Sequence, residues 1–411
     1  MLQYALWGVS FVTLWLTLVW LNYLVMGREK RYLKKLPKVS FGIPAWNESR
    51  TVVRTLDSLL NLDYPAKLKE IIVVNDGSTD DTLDVLKGYV EEHPEVILID
   101  KENGGKASAL NAALSRASGD VFAVMDADTT VERGALRKML PHLADKRIGA
   151  VISRIRVDGP RNFLERMQSF EYVMSSMTRF IMNNFGTLAI THGALTLFSS
   201  HLLRKVGGFT EDKDNITEDF EIALRLRKNG YDVIMEPDAV SYTRVPRSIS
   251  AVWVQRLRWS RGYIYNMWKY RSMIFDNRYG LLGTFQLPVN VLAVVLLVAN
   301  VGILSIDFMD RFFEYIVRSL TIDGYFVNSL FDFPGLKSFV LARNVQVTLP
   351  ILVSLALGIY LMVYAHRVFK ERLRSNIVPT LAYTLAMPYF STLNWASAIV
   401  KEFSRSKRRW R

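Results

Sequence analysis

Two carboxylates separated by one residue, Asp126 and Asp128, stand directly after an apolar run at residues 121–125. At the tip of a strand such a pair can approach one hard cation. Mg2+ or Mn2+ would suit its oxygen donors and bridge to phosphate. A second acidic pair, Glu218-Asp219, follows Thr217 at a predicted helix start. Thr217 reads there as an N-cap, with the pair complementing the helix dipole. The chemical reading makes Asp219 a general base that takes a proton from a hydroxyl. Asp76, in Asn75-Asp76-Gly77-Ser78-Thr79, also ends an apolar run and precedes a helix. It can accept from a uracil N–H or a ribose hydroxyl beyond a strand end, although Asp-Gly is equally a common turn.

Two basic motifs complement these acids. In Asn103-Gly104-Gly105-Lys106 the glycines let backbone approach a ligand and Lys106 offers a point charge for a diphosphate; a glycine turn with a solvated lysine is the plainer account. In Gln255-Arg256-Leu257-Arg258-Trp259 the spacing puts Gln255, Arg258 and Trp259 on one helix face. Arg258 could hold a departing diphosphate and Trp259 could offer a sugar its flat ring.

These groups need a scaffold, and the apolar runs supply one. Residues 39–43, 70–74, 96–99 and 121–125 read as buried parallel strands, with helical patterning between them, a βαβ arrangement. From Phe163, Met167, Phe170, Met174, Met177 and Ile181 trace one helix face. Residues 250–271 interleave Trp253, Trp259 and Trp268 with arginines, as a helix at a membrane surface does; a packing helix of the domain is the alternative.

Of the 411 residues 50% are hydrophobic and 22% charged, which fits apolar blocks beside an ordinary soluble domain. The net charge of +13 clusters beside the apolar segments, at residues 28–35, 367–374 and 405–411. That placement favours membrane electrostatics over nucleic acid, for which no motif is present. With no cysteine, disulfides, thiolate metal sites and cysteine nucleophiles are excluded. Residues 4–26 are an uncharged run read as a retained anchor, with the next domain cytosolic. Residues 280–306 and 345–365 read as further spans, and residues 377–400, which hold Pro379, Pro388 and Asn394, as a fourth span or a broken, partly interfacial pair of helices. The expected organisation is an anchor (1–28), a catalytic domain (38–245), an interfacial helix region (246–279), a membrane region (280–403) and a basic tail (404–411).

The five motifs, in this order and spacing, resemble family 2 glycosyltransferases, above all the processive branch that makes cellulose, chitin, hyaluronan and poly-N-acetylglucosamine. Pro44-Ala45-Trp46-Asn47-Glu48 is similar to that family's opening motif, where Tyr is commoner at the third place, and Gln-x-x-Arg-Trp is the most specific element. The motif likeness covers residues 38–270, and the membrane layout extends it to nearly the whole chain. It implies an α/β, GT-A-type (Rossmann-like) cytosolic catalytic domain with interfacial helices and a multi-helix transmembrane region in the plasma membrane. By the same resemblance Ala45, Glu48, Asp76, Lys106, Asp126, Asp128 and Arg258 would bind the nucleotide-sugar donor, with Asp128 the metal ligand. Asp219, with Glu218 beside it, would be catalytic. Gln255, Trp259, His192 and Gly193 would face the acceptor, His192 standing where relatives carry Ser.

The implied reaction is inverting transfer from a UDP-sugar to a growing polysaccharide, which then crosses the membrane, with Mg2+ or Mn2+ as cofactor and a small accessory membrane subunit as a further partner. The Asn103-to-Asn111 stretch and the C-terminal Tyr389-to-Trp395 stretch look most like synthases using UDP-N-acetylglucosamine. Hyaluronan- and cellulose-type synthesis are the alternatives within the branch. Single transfer to a polyprenyl phosphate is a further reading, against which Gln-x-x-Arg-Trp counts, as intact Asp128 and Asp219 count against an inactive nucleotide-binding scaffold.

Overall fold

The computed structural model describes residues 35–331, 345–373 and 377–406, with scattered positions between 7 and 33. Strands β1 (Val39–Ala45), β2 (Lys69–Asp76), β3 (Val96–Lys101) and β4 (Val121–Val124) lie parallel to one another. These are the four continuous apolar runs, and β1 and β4 are buried along almost their whole length because helices cover both faces. Strands β5 (Thr129–Val131), β6 (Ile148–Val157), β7 (Thr196–Ser199) and β8 (Asp232–Thr243) extend the sheet. The order is β3-β2-β1-β4-β7-β6-β8-β5, with β7 antiparallel to both its neighbours.

One face of the sheet packs on α1 (Val52–Leu60), α2 (Thr82–Glu92) and the short α4 (Ala135–Met139). The other face packs on α3 (Lys106–Arg116), α5 (Phe163–Asn184), α6 (Ser200–Lys205) and α7 (Glu218–Lys228). Helix α5 starts at Phe163 because Asn162 and Glu165 form a reciprocal cap: Asn162 Oδ1 accepts from the Glu165 N–H at 2.8 Å and Glu165 Oε2 from the Asn162 N–H at 2.9 Å. Met167, Phe170, Met177 and Ile181 of its anticipated apolar face are buried, while Phe163 is exposed.

Helices α8 (Ile249–Lys269), α9 (Leu287–Thr321), α10 (Tyr325–Phe331), α11 (Val345–Val368) and α12 (Ile377–Phe403) follow. Among the described residues one helical stretch, Leu282–Ala299, is long and apolar enough to cross a membrane, and Leu352–Val368 is shorter. The described positions between 7 and 21 are helical; the rest of the expected N-terminal anchor, and most of both basic termini, lie outside the described residues.

The C-terminal helices are built into the catalytic unit. Leu361, Ala365 and Phe369 join the core beneath α5. Residues 377–403 form one helix running through Pro388, not a broken pair. Its contacts with the domain extend along its length: Tyr383 meets Phe170 of α5, Phe390 and Asn394 meet Trp253 of α8, and Glu402 pairs with Arg261 at 2.6 Å. Helix α8 is therefore a packing helix on that side, although Ile249, Val254 and Trp268 are exposed on the other.

Candidate active site

Parallel β1, β2 and β4 deliver their carboxyl ends, and the loops after them, to one edge of the sheet, the usual ligand edge of such sheets. Asp76 closes β2 and is buried. Gly77 follows with φ of 63°, and a Cβ there would stand 2.6 Å from the Asn103 nitrogen, so the turn requires glycine. The Asp76 carboxylate accepts from Lys101 Nζ at 2.7 Å and from the N–H groups of Gly104 and Gly105 at 3.0 and 2.8 Å. Asp76 thus fixes the glycine loop that carries Lys106. Asn47, in the left-handed region at φ of 57°, ties the loop after β1 to the loop after β2 by accepting from the Thr79 N–H at 2.8 Å.

Lys106 begins α3 and projects between two carboxylates. Its Nζ lies 2.7 Å from Asp126 Oδ1 and 2.9 Å from Glu218 Oε1. Burial opposes its charge, but Asp126, Glu218 and Asp219 outweigh that and raise its pKa. The cation expected to meet a diphosphate therefore joins the strand-tip acid to the acids at the start of α7. Gly193 completes this corner. Its carbonyl accepts from the Asp126 N–H at 2.7 Å, and a Cβ on it would fall 2.1 Å from an Asp126 carboxylate oxygen.

Burial and then Glu218 push the Asp219 carboxyl up to about 6, against the opposing pull of Lys106. Its backbone carbonyl accepts from Thr191 Oγ1 at 2.7 Å, which fixes the start of α7. Thr217 is not the side-chain cap its position suggested; its hydroxyl accepts from the Asn266 amide of α8 at 3.0 Å. His192 lies beneath. Its Nε2 donates to the Ser153 carbonyl at 2.9 Å, its Nδ1 has no partner, and burial, then Arg179, lowers its pKa to about 3. A water-sized cavity of about 10 Å³ between Lys106, His192, Glu218 and Asp219 adjoins it.

Asp128 is pushed up to about 7, first by burial and then by Asp126 and Glu48. Lys106 and the Thr129 hydroxyl only partly offset this, and the carboxylate oxygens fit a hard divalent cation whose remaining positions a ligand would fill. Among the described residues no three His, Cys, Asp or Glu groups converge as a self-sufficient metal site. Ala45 is buried at the end of β1, and Glu48, in the loop after it, accepts from Thr51 Oγ1 at 2.7 Å.

On α8 the Trp259 ring does not present two free faces. The Arg256 guanidinium lies 4.1 Å from its centroid, donates to Gln255 Oε1 at 3.2 Å and pairs with Glu171 of α5 at 2.8 Å. Arg258 sits on the same helix, one residue before Trp259. Sequence reasoning followed the apolar face of α5 and passed over the opposite face, where Glu171, Tyr172 and Arg179 act electrostatically on the site. The i, i+4, i+8 recurrence of polar residues there was the available signal.

The family model for glycosyl transferase family 2 matches residues 40–207. The probable glycosyltransferase YdaM of Bacillus subtilis is 31% identical over 294 residues, 66% of this chain and 69% of that protein. Poly-beta-1,6-N-acetyl-D-glucosamine synthases are 34% identical over 54% of each chain (Staphylococcus epidermidis) and 33% identical over 61% of this chain and 64% of theirs (Staphylococcus aureus). The chain thus spans between about half and two thirds of those synthases. In fold it is similar to the mannosyltransferase PcManGT of Pyrobaculum calidifontis, solved with GDP-Man and Mn2+: TM-score 0.64, 21% identity, 99% of this chain and 100% of that one. The α/β fold is GT-A-like.

Proposed function

This chain belongs to glycosyl transferase family 2 and is a hexosyltransferase, and from that premise we propose that it polymerises N-acetylglucosamine from its UDP-activated form at the cytosolic face of the plasma membrane. The observation that carries the reading is the cluster at the sheet edge, in which Lys106 joins Asp126 to Glu218 beside an Asp219 whose carboxyl is poised near neutrality. The choice of sugar rests on the names of the staphylococcal relatives.

In this reading Asp76 and the Gly104-Gly105 backbone form the nucleotide edge. Asp219 takes the proton of the acceptor hydroxyl. The acceptor oxygen then attacks the anomeric carbon from the face opposite the nucleotide. The bond from that carbon to the diphosphate breaks, and UDP leaves with the electron pair. Lys106 and Arg258 offer positive charge on the leaving side. Asp128, with Asp126 beside it, would hold Mg2+ or Mn2+, which supplies Lewis-acid stabilisation of diphosphate charge when bound. Trp259 and Gln255 border the acceptor. The exposed apolar faces of α9 and α12 meet lipid, and the polymer leaves along the membrane helices.

A donor screen that reads released UDP, followed by sedimentation of the product, tests the proposal. UDP-N-acetylglucosamine should be consumed and a polymer formed, and excess chelator should stop both. A glycolipid product, or full turnover in chelator, would refute the polymerase or the cation assignment respectively.

A further inference from the structure

We propose that the polar face of α5, carried by Tyr172, Ser175 and Arg179, is an acceptor-glycan subsite in which Arg179 positions the terminal sugar against Asp219. The proposal rests on the transfer reaction above and adds a binding site to it.

Three observations carry it. The three residues recur at three and four positions, so they line one side of a helix whose other side is buried in the core. All three are partly buried, yet among the described residues none of their side chains has a hydrogen-bond or ion-pair partner. Their polar atoms reach solvent, for none is among the sealed side-chain atoms of the described residues that lack a partner, so the stripe is open on one side. Three neighbouring polar groups that the fold leaves uncommitted and open on one side can all be engaged by one polar ligand. Other nearby side chains are committed elsewhere: Glu171 to Arg256, and Thr178 and Gln168 to backbone carbonyls.

The stripe also lies within electrostatic reach of the right groups. Asp219 acts electrostatically on Arg179, and Asp128 and Arg256 act on Tyr172. It therefore runs from the proposed base towards the Arg256–Trp259 stack of α8. From Tyr172 to Arg179 it spans on the order of 10 Å along the helix axis, more than one hexose ring needs. A fork of N–H donors, one hydroxyl and one phenol suit the hydroxyl and amide oxygens of a neutral N-acylated glycan. Arg179 acts here as a positioning residue, bringing the attacking hydroxyl to Asp219.

The test is isothermal titration of a β-1,6-linked N-acetylglucosamine oligosaccharide, and separately of UDP, into full-length protein in detergent. Arg179→Gln should weaken glycan binding on the order of tenfold or more, the size of a charged hydrogen bond. Arg179→Lys should recover part of it. Tyr172→Phe, which keeps the ring volume, should give a smaller loss. UDP affinity and the melting temperature should hold in all three. Glycan affinity unchanged in Arg179→Gln, no glycan binding by the wild type, or joint loss of UDP affinity and thermal stability would each overturn the subsite. Binding needs no turnover, so the two readings separate. Arg179-dependent glycan binding by a protein that transfers nothing would uphold the subsite and sink the proposed reaction.

Discussion

In the proposed reaction Asp219 serves the acceptor and Asp76 the nucleotide donor, and substitution separates them. Asp219→Asn keeps the shape and removes the base. Transfer should fall roughly 100- to 10,000-fold while UDP affinity holds, as read by a radiolabelled polymer assay beside UDP titration. Asp76→Ala should weaken UDP binding first, because it also frees Lys101 and the Gly104-Gly105 backbone. The same carboxyl sets a pH limb. Below about 6 Asp219 retains its proton and cannot accept another, so kcat/KM should climb as pH rises through about 6; a flat profile across that range would remove Asp219 as the base. Gly193→Ala tests the packing of the corner. A methyl group 2.1–2.4 Å from the Asp126 carboxylate must displace it, so activity should be lost with a destabilisation of about 1–3 kcal/mol. At this scale the sequence showed where Asp76 and Asp126 stand, after apolar runs that are β2 and β4, while their chemical roles rested on the family resemblance, since Asp-Gly is equally a turn. Their partners were not legible. That Lys106 would turn to Asp126 and Glu218, or that Arg256 would cover Trp259, depends on distances between elements far apart in the chain.

Strands β1 to β4 were legible because each is a continuous apolar run. β5 has three residues and β7 four, too few to show a pattern, and β8 alternates half-buried and buried residues up to Pro237, where a proline interrupts the run. Helix α5 was legible from its apolar period, and its polar face was not, since unsatisfied groups show only once neighbours are known. The element least readable from sequence is the junction after α11. Glu371 receives Arg154 at 2.9 Å and Arg156 at 2.7 Å from β6, and Arg154 also lies 5.1 Å from the Phe369 ring. Arg154 is 7% exposed. Glu371→Gln would leave that cation buried without its countercharge, at a cost of about 3–5 kcal/mol. Differential scanning in detergent should show the catalytic unit melting on the order of 10 °C lower. An unchanged melting temperature would mean that the Glu371 ion pairs contribute nothing to the stability of the sheet.

Taken as a whole, the molecule presents two kinds of apolar helix that composition alone does not distinguish. α9 has 35 residues, about 52 Å at 1.5 Å per residue, against a hydrocarbon layer of about 30 Å. It is long enough to cross a membrane and extend beyond it. α12 is nearly as long, but one side of it packs on α5 and α8 from Tyr383 to Glu402. Its outer side exposes Ile377, Leu381, Leu385, Tyr389, Leu393 and Val400, five intervals that are all multiples of a helical turn or close to it. The proposed arrangement therefore has α9 crossing and α12 lying in the interface, with the catalytic domain held on the cytosolic side by the basic residues at 28–38. Protease added outside sealed cells should spare residues 38–270, and cleavage there would reverse the orientation. Leu385→Asp combined with Leu393→Asp places two charges on the outer stripe without touching the buried side. If α12 lies on lipid, binding of the purified protein to anionic vesicles should weaken while UDP affinity and melting temperature stay as in the wild type. Equal vesicle binding by the double variant would remove α12 from the membrane surface and leave α9 to carry the attachment.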